Sequence, residues 1–280
     1  MFELVDLHTH SHHSDGVLAP AELVARAALR KLTRLALTDH DTTAGLDEAR
    51  AACQQHSIAF VNGTELTTSW RGQEVHIVGL DIDPASAALQ AQCATVLALR
   101  RTRIAAIGAL LQRLPALAGE DLSIALLAEP GIPTRLHVAR ELVRRGLAGG
   151  TQDAFDRFLA RKRPGYVGQE WPTIESALTA ITAAGGVAVL AHAHRYKFSA
   201  GVLGELCRQF KQAGGSGIEV SLPGTSPADT ARLVRLARQH ALAGSMGSDF
   251  HEPGLPWRPL GRFAKLPDEV ASILDRLRPL

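Results

Sequence analysis

Val5-Asp6-Leu7-His8-Thr9-His10-Ser11-His12-His13-Ser14-Asp15-Gly16 is the stretch on which the chain turns. An apolar run with the character of a strand ends at once in two histidines spaced i, i+2. Alternate strand residues share a face, so His8 and His10 can aim both imidazoles at one point, as a metal requires. Asp15, after a short polar loop, can return a carboxylate to the same place. Imidazole with carboxylate suits zinc, manganese or iron better than calcium. Alone, His-x-His also fits a polar N-terminal loop, so the rest of the chain must decide.

Outward from this stretch the chain alternates β-rich runs with amphipathic ones. The strands expected are Leu4–His8, Arg34–Thr38, Ile58–Asn62, Glu74–Leu80, Val187–Ala191, Gly217–Val220 and about Leu242–Met246. A helix opens at Pro20, a favoured first helical position, and another runs to about Gln55. Thr173–Ala184 places Ile174, Ala177, Leu178 and Ile181 on one face and stops at Gly185-Gly186. Later helices carry Leu203, Leu206, Cys207 and Phe210, then Thr230, Leu233, Val234 and Ala237; a last one is expected over about Pro267–Leu277. Between Pro84 and Gly165 the alternation breaks into helical patterns alone: Leu97–Leu114, Thr134–Arg145 with Thr134 as cap and Gly146 as stop, and Thr151–Lys162. The expected architecture is α/β: parallel βα units forming a distorted (β/α)7 barrel over residues 1–95 and 166–280, with a helical insertion subdomain over 96–165. An open doubly wound sheet is the alternative.

Composition allows a large core: of 280 residues, 46% are apolar, and the formal net charge is +2, which singles out no polyanionic partner. The scattered Cys53, Cys93 and Cys207 form no CxxC pair and read as buried thiols of a reducing cytoplasm. No signal peptide and no membrane-spanning run is expected, and no protein partner is implied.

In βα barrels the working residues gather at strand C-termini. Here the strands end in, or are followed by, His8 and His10, Asp39-His40, Glu65, His192, and Asp249 with His251; His76 joins if it points inward. So many metal-competent side chains at strand ends argue against unrelated loop polarity. His8-x-His10 with Asp15, Thr38-Asp39-His40, Gly63-x-Glu65, His76, His192 and Gly247-Ser248-Asp249-x-His251, in this order, resemble the successive motifs of the PHP (polymerase and histidinol phosphatase) metallo-phosphoesterases of the amidohydrolase-like barrels. Ala193 departs from the His-Pro often found there. The resemblance implies two or three divalent metals, manganese first, with zinc, iron or magnesium as alternatives. It implies His8, His10, Glu65 and Asp249 around the first, Glu65, His76 and His192 around the second, and Asp15, His40 and His251 around the third. Paired cations would activate water and neutralise phosphate oxygens.

Phosphate needs further donors. Arg135, in the first turn of the helix capped by Thr134, sits where a helix favours an anion and is a candidate catalytic and substrate contact. His194 is the other, for phosphate contact or leaving-group protonation; its spacing from His192 suggests the same strand face. His137 is a candidate substrate contact, with Lys197 and Arg195 weaker ones, and the insertion's arginines read as a solvated face, or alternatively as an attractor of a polyanionic or nucleotide substrate. The compact chain resembles the stand-alone members of the family. That implies hydrolysis of a small nucleotide's phosphate monoester, foremost the 3'-phosphate of a nucleoside 3',5'-bisphosphate. The alternatives are 5'-to-3' trimming of short oligonucleotides, histidinol phosphate hydrolysis, or an inactive binding barrel, the last disfavoured because every matched ligand position is filled.

Overall fold

The computed structural model describes residues 4–254 and 257–279. In chain order, β1 (Val5–Asp6) leads to α1 (Pro20–Leu29), β2 (Arg34–Leu37), α2 (Leu46–Gln55), β3 (Ala59–Trp70) and β4 (Gln73–Leu80). Then come α3 (Ala87–Leu111), α4 (Ser123–Ala128), α5 (Arg135–Arg144) and α6 (Thr151–Ala154). The chain closes with α7 (Ile174–Ala183), β5 (Val187–Leu190), α8 (Ala200–Gln212), β6 (Gly217–Ser221), α9 (Pro227–Gln239) and β7 (Ala243–Met246). Among the described residues the strands form one seven-stranded sheet in sequential order. Beyond β1 and β7, Leu7 N–H donates to the Met246 carbonyl at 3.1 Å and Asp249 N–H to the His8 carbonyl at 2.8 Å.

The expectation of parallel strands throughout is corrected at β4, which runs antiparallel to both β3 and β5. Its connection to β3 is only Arg71-Gly72, with φ of 48° and 70°. Two central residues at positive φ match the twist of a tight hairpin, whereas a parallel return needs a dozen residues or more. The same hairpin lengthens β3 well beyond Asn62, so that Glu65 stands inside a strand rather than after one. The expected last helix is only a 3-10 turn at Ile273–Arg276, capped by the Ser272 hydroxyl; Leu277 is extended and Pro279 follows. The Thr151–Lys162 helix is α-helical only to Ala154, then widens into a π turn over Phe155–Leu159.

Two compact units are present: residues 1–93 with 172–280, and residues 94–171. In the first, one face of the sheet packs Leu7, Val61, Val78, Val189 and Ile273 together, and a larger apolar cluster joins α1, α2, α7, α8 and α9 to the strands. The second has its own core around Ile104, Ile107, Leu111, Val138 and Leu142. All three cysteines are buried as free thiols, and burial pushes each up to about 12. Among the described residues no helix is long and apolar enough to cross a membrane.

Candidate metal centre

Carboxylates and imidazoles from the two ends of the sequence meet in the first unit because buried acids pin the loops that carry them. Asp6, fully buried, accepts from Ser248 N–H at 2.8 Å and Gly261 N–H at 2.9 Å, tying the end of β1 to the segment after β7. Asp39 accepts from Ser11 N–H and from the Ser11 and Ser14 hydroxyls at 2.6–2.7 Å, which fixes the loop bearing Asp15. Asp41 holds the Thr67 amide and hydroxyl at 2.8 Å. His40 thus sits between two anchored acids. Gly247 is obligatory in this packing: a Cβ there would lie 2.4 Å from His8 Cβ.

Glu65 is the hub. Its Oε2 is approached by His8 Nε2 at 3.1 Å and by His10 Nε2 and His40 Nδ1 at 3.2 Å. Its Oε1 meets His192 Nε2 at 2.9 Å and His76 Nδ1 at 3.0 Å, so His76 does face inward from β4. Asp249 Oδ1 lies 3.3 Å from His10 Nε2 and 3.6 Å from His8 Nε2. Asp15 Oδ1 lies 3.2 Å from His251 Nε2, and its other oxygen is 3.8 Å from His40 Nε2. Among the described residues, three overlapping sets have their ligand atoms within 4.8 Å of one another: His8, His10, Glu65 and Asp249; His40, Glu65 and His76; and His10, Asp15, His40 and His251. His192 joins through Glu65. The nine metal-ligand candidates of the sequence therefore lie in one cluster, buried except for the half-buried His76.

The cluster suits divalent cations. Glu65 Oε2 and His40 Nδ1 are buried and, despite their proximity, make no hydrogen bond. Buried anions need a compensating charge, and the nitrogen and oxygen donors here are those that manganese, zinc and iron accept. Burial alone would lift Glu65, but the surrounding imidazoles, His8 first, hold its carboxyl well below the usual range. Burial likewise opposes ionisation of Asp249, yet Arg258 and Arg195 outweigh it and hold that group down as well. Burial depresses His10, but hydrogen bonds to Asp249 and Glu65 bring it up to about 9. Burial depresses His40 and His192, which stay neutral.

Other candidates are placed differently. β5 ends at Leu190, His192 adopts a left-handed backbone (φ 30°), and Ala193–Arg195 form a 3-10 turn, so His194 does not continue a strand face from His192. Its Nδ1 is buried without a hydrogen-bond partner, and burial followed by the Arg195 charge lowers it to about 4. At neutral pH His194 is an uncharged imidazole able to donate or accept a hydrogen bond. Lys197 is exposed. Arg135 and His137 belong to the second unit. Arg135 lies over the Phe155 ring at 5.7 Å, and His137 Nδ1 accepts the Thr134 N–H at 3.0 Å in a reciprocal cap.

The sequence reading missed two residues. Glu219, buried in β6, contacts both His8 and His192. Its signal was a lone carboxylate in the otherwise uncharged strand Gly217-Ile218-Glu219-Val220-Ser221, a placement that requires a partner. Arg258 lies 3.1 Å from Asp249 Oδ2, where the more lightly weighed Arg195 also ion-pairs. One arginine in a loop has no sequence signal.

Comparison with known proteins agrees with this geometry. Residues 6–129 match the PHP domain family. A 3',5'-nucleoside bisphosphate phosphatase from Chromobacterium violaceum is 41% identical over 94% of this chain and 92% of its own. The 5'-3' exoribonuclease Rnm of Escherichia coli is 40% identical over 96% and 92%, respectively. The structure of an amidohydrolase from Chromobacterium violaceum, with bound sulfate and no metal, superposes with a TM-score of 0.90 at 39% identity, covering 97% of this chain and 95% of that one. The chain belongs to the PHP family, and it is a metal-dependent phosphoester hydrolase.

Proposed function

We propose that the chain removes a phosphate monoester from a small nucleotide, foremost the 3'-phosphate of a nucleoside 3',5'-bisphosphate. The observation that carries this reading is Glu65 at the junction of overlapping imidazole-carboxylate sets, in a chain that shares 41% identity with a phosphatase of that name. In this reading the sheet is a distorted (β/α)7 barrel, residues 94–171 are its helical insertion, and the metal centre occupies the barrel's mouth. His8, His10, Glu65 and Asp249 would hold one cation. Glu65, His76 and His192 would hold a second, and Asp15, His40 and His251 a third, with manganese the first choice. Such ions supply charge neutralisation of phosphoryl oxygens and a more acidic water.

The protein's own groups do the rest. Glu65, kept ionised by its imidazoles, would serve two of these sites with one carboxylate. Arg195 and Arg258 ion-pair with Asp249 and put positive charge at the centre that would attract a phosphate. His194 offers an N–H, and Lys197 an ammonium at the exposed end of the same segment.

Relatives named as 5'-3' exoribonucleases at 39–41% identity favour a second reading, stepwise trimming of short RNA from the 5' end. Release of phosphate and of mononucleotides by the manganese-loaded enzyme separates the two when adenosine 3',5'-bisphosphate, AMP and a 5'-phosphorylated short RNA are compared. Preference for the bisphosphate with AMP intact is the expected result. Faster mononucleotide release from RNA would select the second reading, and inactivity on all three would overturn both.

A further inference from the structure

Glu219 stands out because one buried carboxylate holds two of the proposed ligands in different ways. It lies in the middle of β6, 1% exposed. Oε1 is 2.7 Å from His8 Nδ1, and Oε2 accepts the backbone N–H of His192 at 2.6 Å. The first contact fixes a ring: with its proton on Nδ1, His8 must present the Nε2 lone pair, and Nε2 is the atom 3.1 Å from Glu65 Oε2. The second fixes a backbone: His192 has φ of 30° and ψ of 46°, a left-handed conformation that costs a side-chain-bearing residue energy unless its surroundings hold it there. That conformation brings His192 Nε2 to within 2.9 Å of Glu65 Oε1.

We propose that Glu219 is a positioning residue that couples the two halves of the metal centre, orienting His8 toward the first cation and His192 toward the second. The inference rests on the metal-centre reading above. Chemistry explains why a carboxylate is required. It accepts at both oxygens, whereas the equally sized amide of glutamine has one acceptor and one donor. In Glu219→Gln, either the His192 N–H faces an NH2 group, or His8 does and moves its proton to Nε2, which occupies the lone pair the cation needs. In either orientation one of the two contacts is lost, and binding weakens at the position that contact serves, as happens when outer partners of metal ligands are removed.

The test is titration of metal-free wild type and Glu219→Gln with Mn2+ by calorimetry and with Co2+ by visible absorption. The expected result is affinity weakened about 10- to 100-fold and shifted cobalt bands, while the far-ultraviolet circular dichroism of the metal-free variant is unchanged. Equal affinities and superimposable cobalt spectra would overturn the proposal and leave the metal-centre reading intact. If the variant does not fold, nitrogen-15 spectra of zinc-loaded wild type decide the same point: a proton on His8 Nδ1 supports the proposal, and one on Nε2 overturns it. Wild type that binds neither Mn2+ nor Co2+ would overturn the underlying reading instead.

Discussion

The charge cluster of each unit is built differently. In the second, Glu141 pairs with Arg144 at 2.7 Å and Arg145 at 2.6 Å, and Arg145 reaches Glu120 at 2.5 Å. Every partner is a side chain of opposite sign, and Arg144 is 70% exposed, so water screens what the pair gains. In the first, Asp15, Glu65 and Asp249 are buried among six histidines, and Glu65 Oε2 makes no hydrogen bond. A surface network completes itself, whereas this cluster leaves donor atoms aimed at one another. That incompleteness marks a binding site, because burying anions without full compensation destabilises a fold unless a ligand restores the balance.

The comparison can be broken first at the cluster. His10→Ala removes an imidazole that belongs to two ligand sets and should lower phosphoester hydrolysis more than about 10³-fold, since both charge neutralisation and water activation depend on the cations. Circular dichroism should report a retained fold; activity persisting in purified His10→Ala protein would contradict the role given to the cluster.

Removing metal comes next. Chelation should lower the melting temperature by about 5–10 °C, with recovery on adding Mn2+: a cation at a hundred times its Kd stabilises by about 2.7 kcal/mol, and each kcal/mol moves a chain of this size by about 2–4 °C. Scanning calorimetry with and without chelator checks it. Gly247→Ala forces a Cβ to within 2.4 Å of His8 Cβ. It should cost about 1–3 kcal/mol in urea unfolding and about 10²-fold in activity through His8 displacement.

The smallest effect belongs to the second unit. Hydrogen bonding by Arg144, then Arg145, outweighs burial and holds Glu141 down at about 2 against its ordinary 4.5. A folded-state value below the unfolded one means stability present above 4.5 and lost as pH falls toward 2. Exposure of Arg144 reduces the gain, so Glu141→Gln should destabilise by about 1 kcal/mol or less at neutral pH, with the difference from wild type shrinking in acid. Urea midpoints at several pH values measure this.

What the sequence disclosed follows the same division. His8-x-His10 and Asp249-x-His251 were legible because period-two spacing and strand ends are local features. The reversal of β4 was not, because Arg71-Gly72 lacks the asparagine or aspartate that usually announces a two-residue hairpin, and the parallel grammar on either side suggested another βα unit. His194 was misplaced for a related reason: strand periodicity was carried past Leu190 into a 3-10 turn. Glu219 escaped because its role depends on contacts with His8 and His192, 211 and 27 residues away in sequence, and no local pattern encodes these. Arg258 depends likewise on a tertiary contact to Asp249.

The most direct test is the divalent metal content of purified wild type and Glu65→Gln after equilibration with Mn2+ and removal of free ion, measured by inductively coupled plasma mass spectrometry. The account predicts two or three ions per wild-type chain and loss of at least one when the shared carboxylate becomes an amide. A wild-type chain that retains no divalent metal, or a Glu65→Gln chain that retains the full complement, would contradict it.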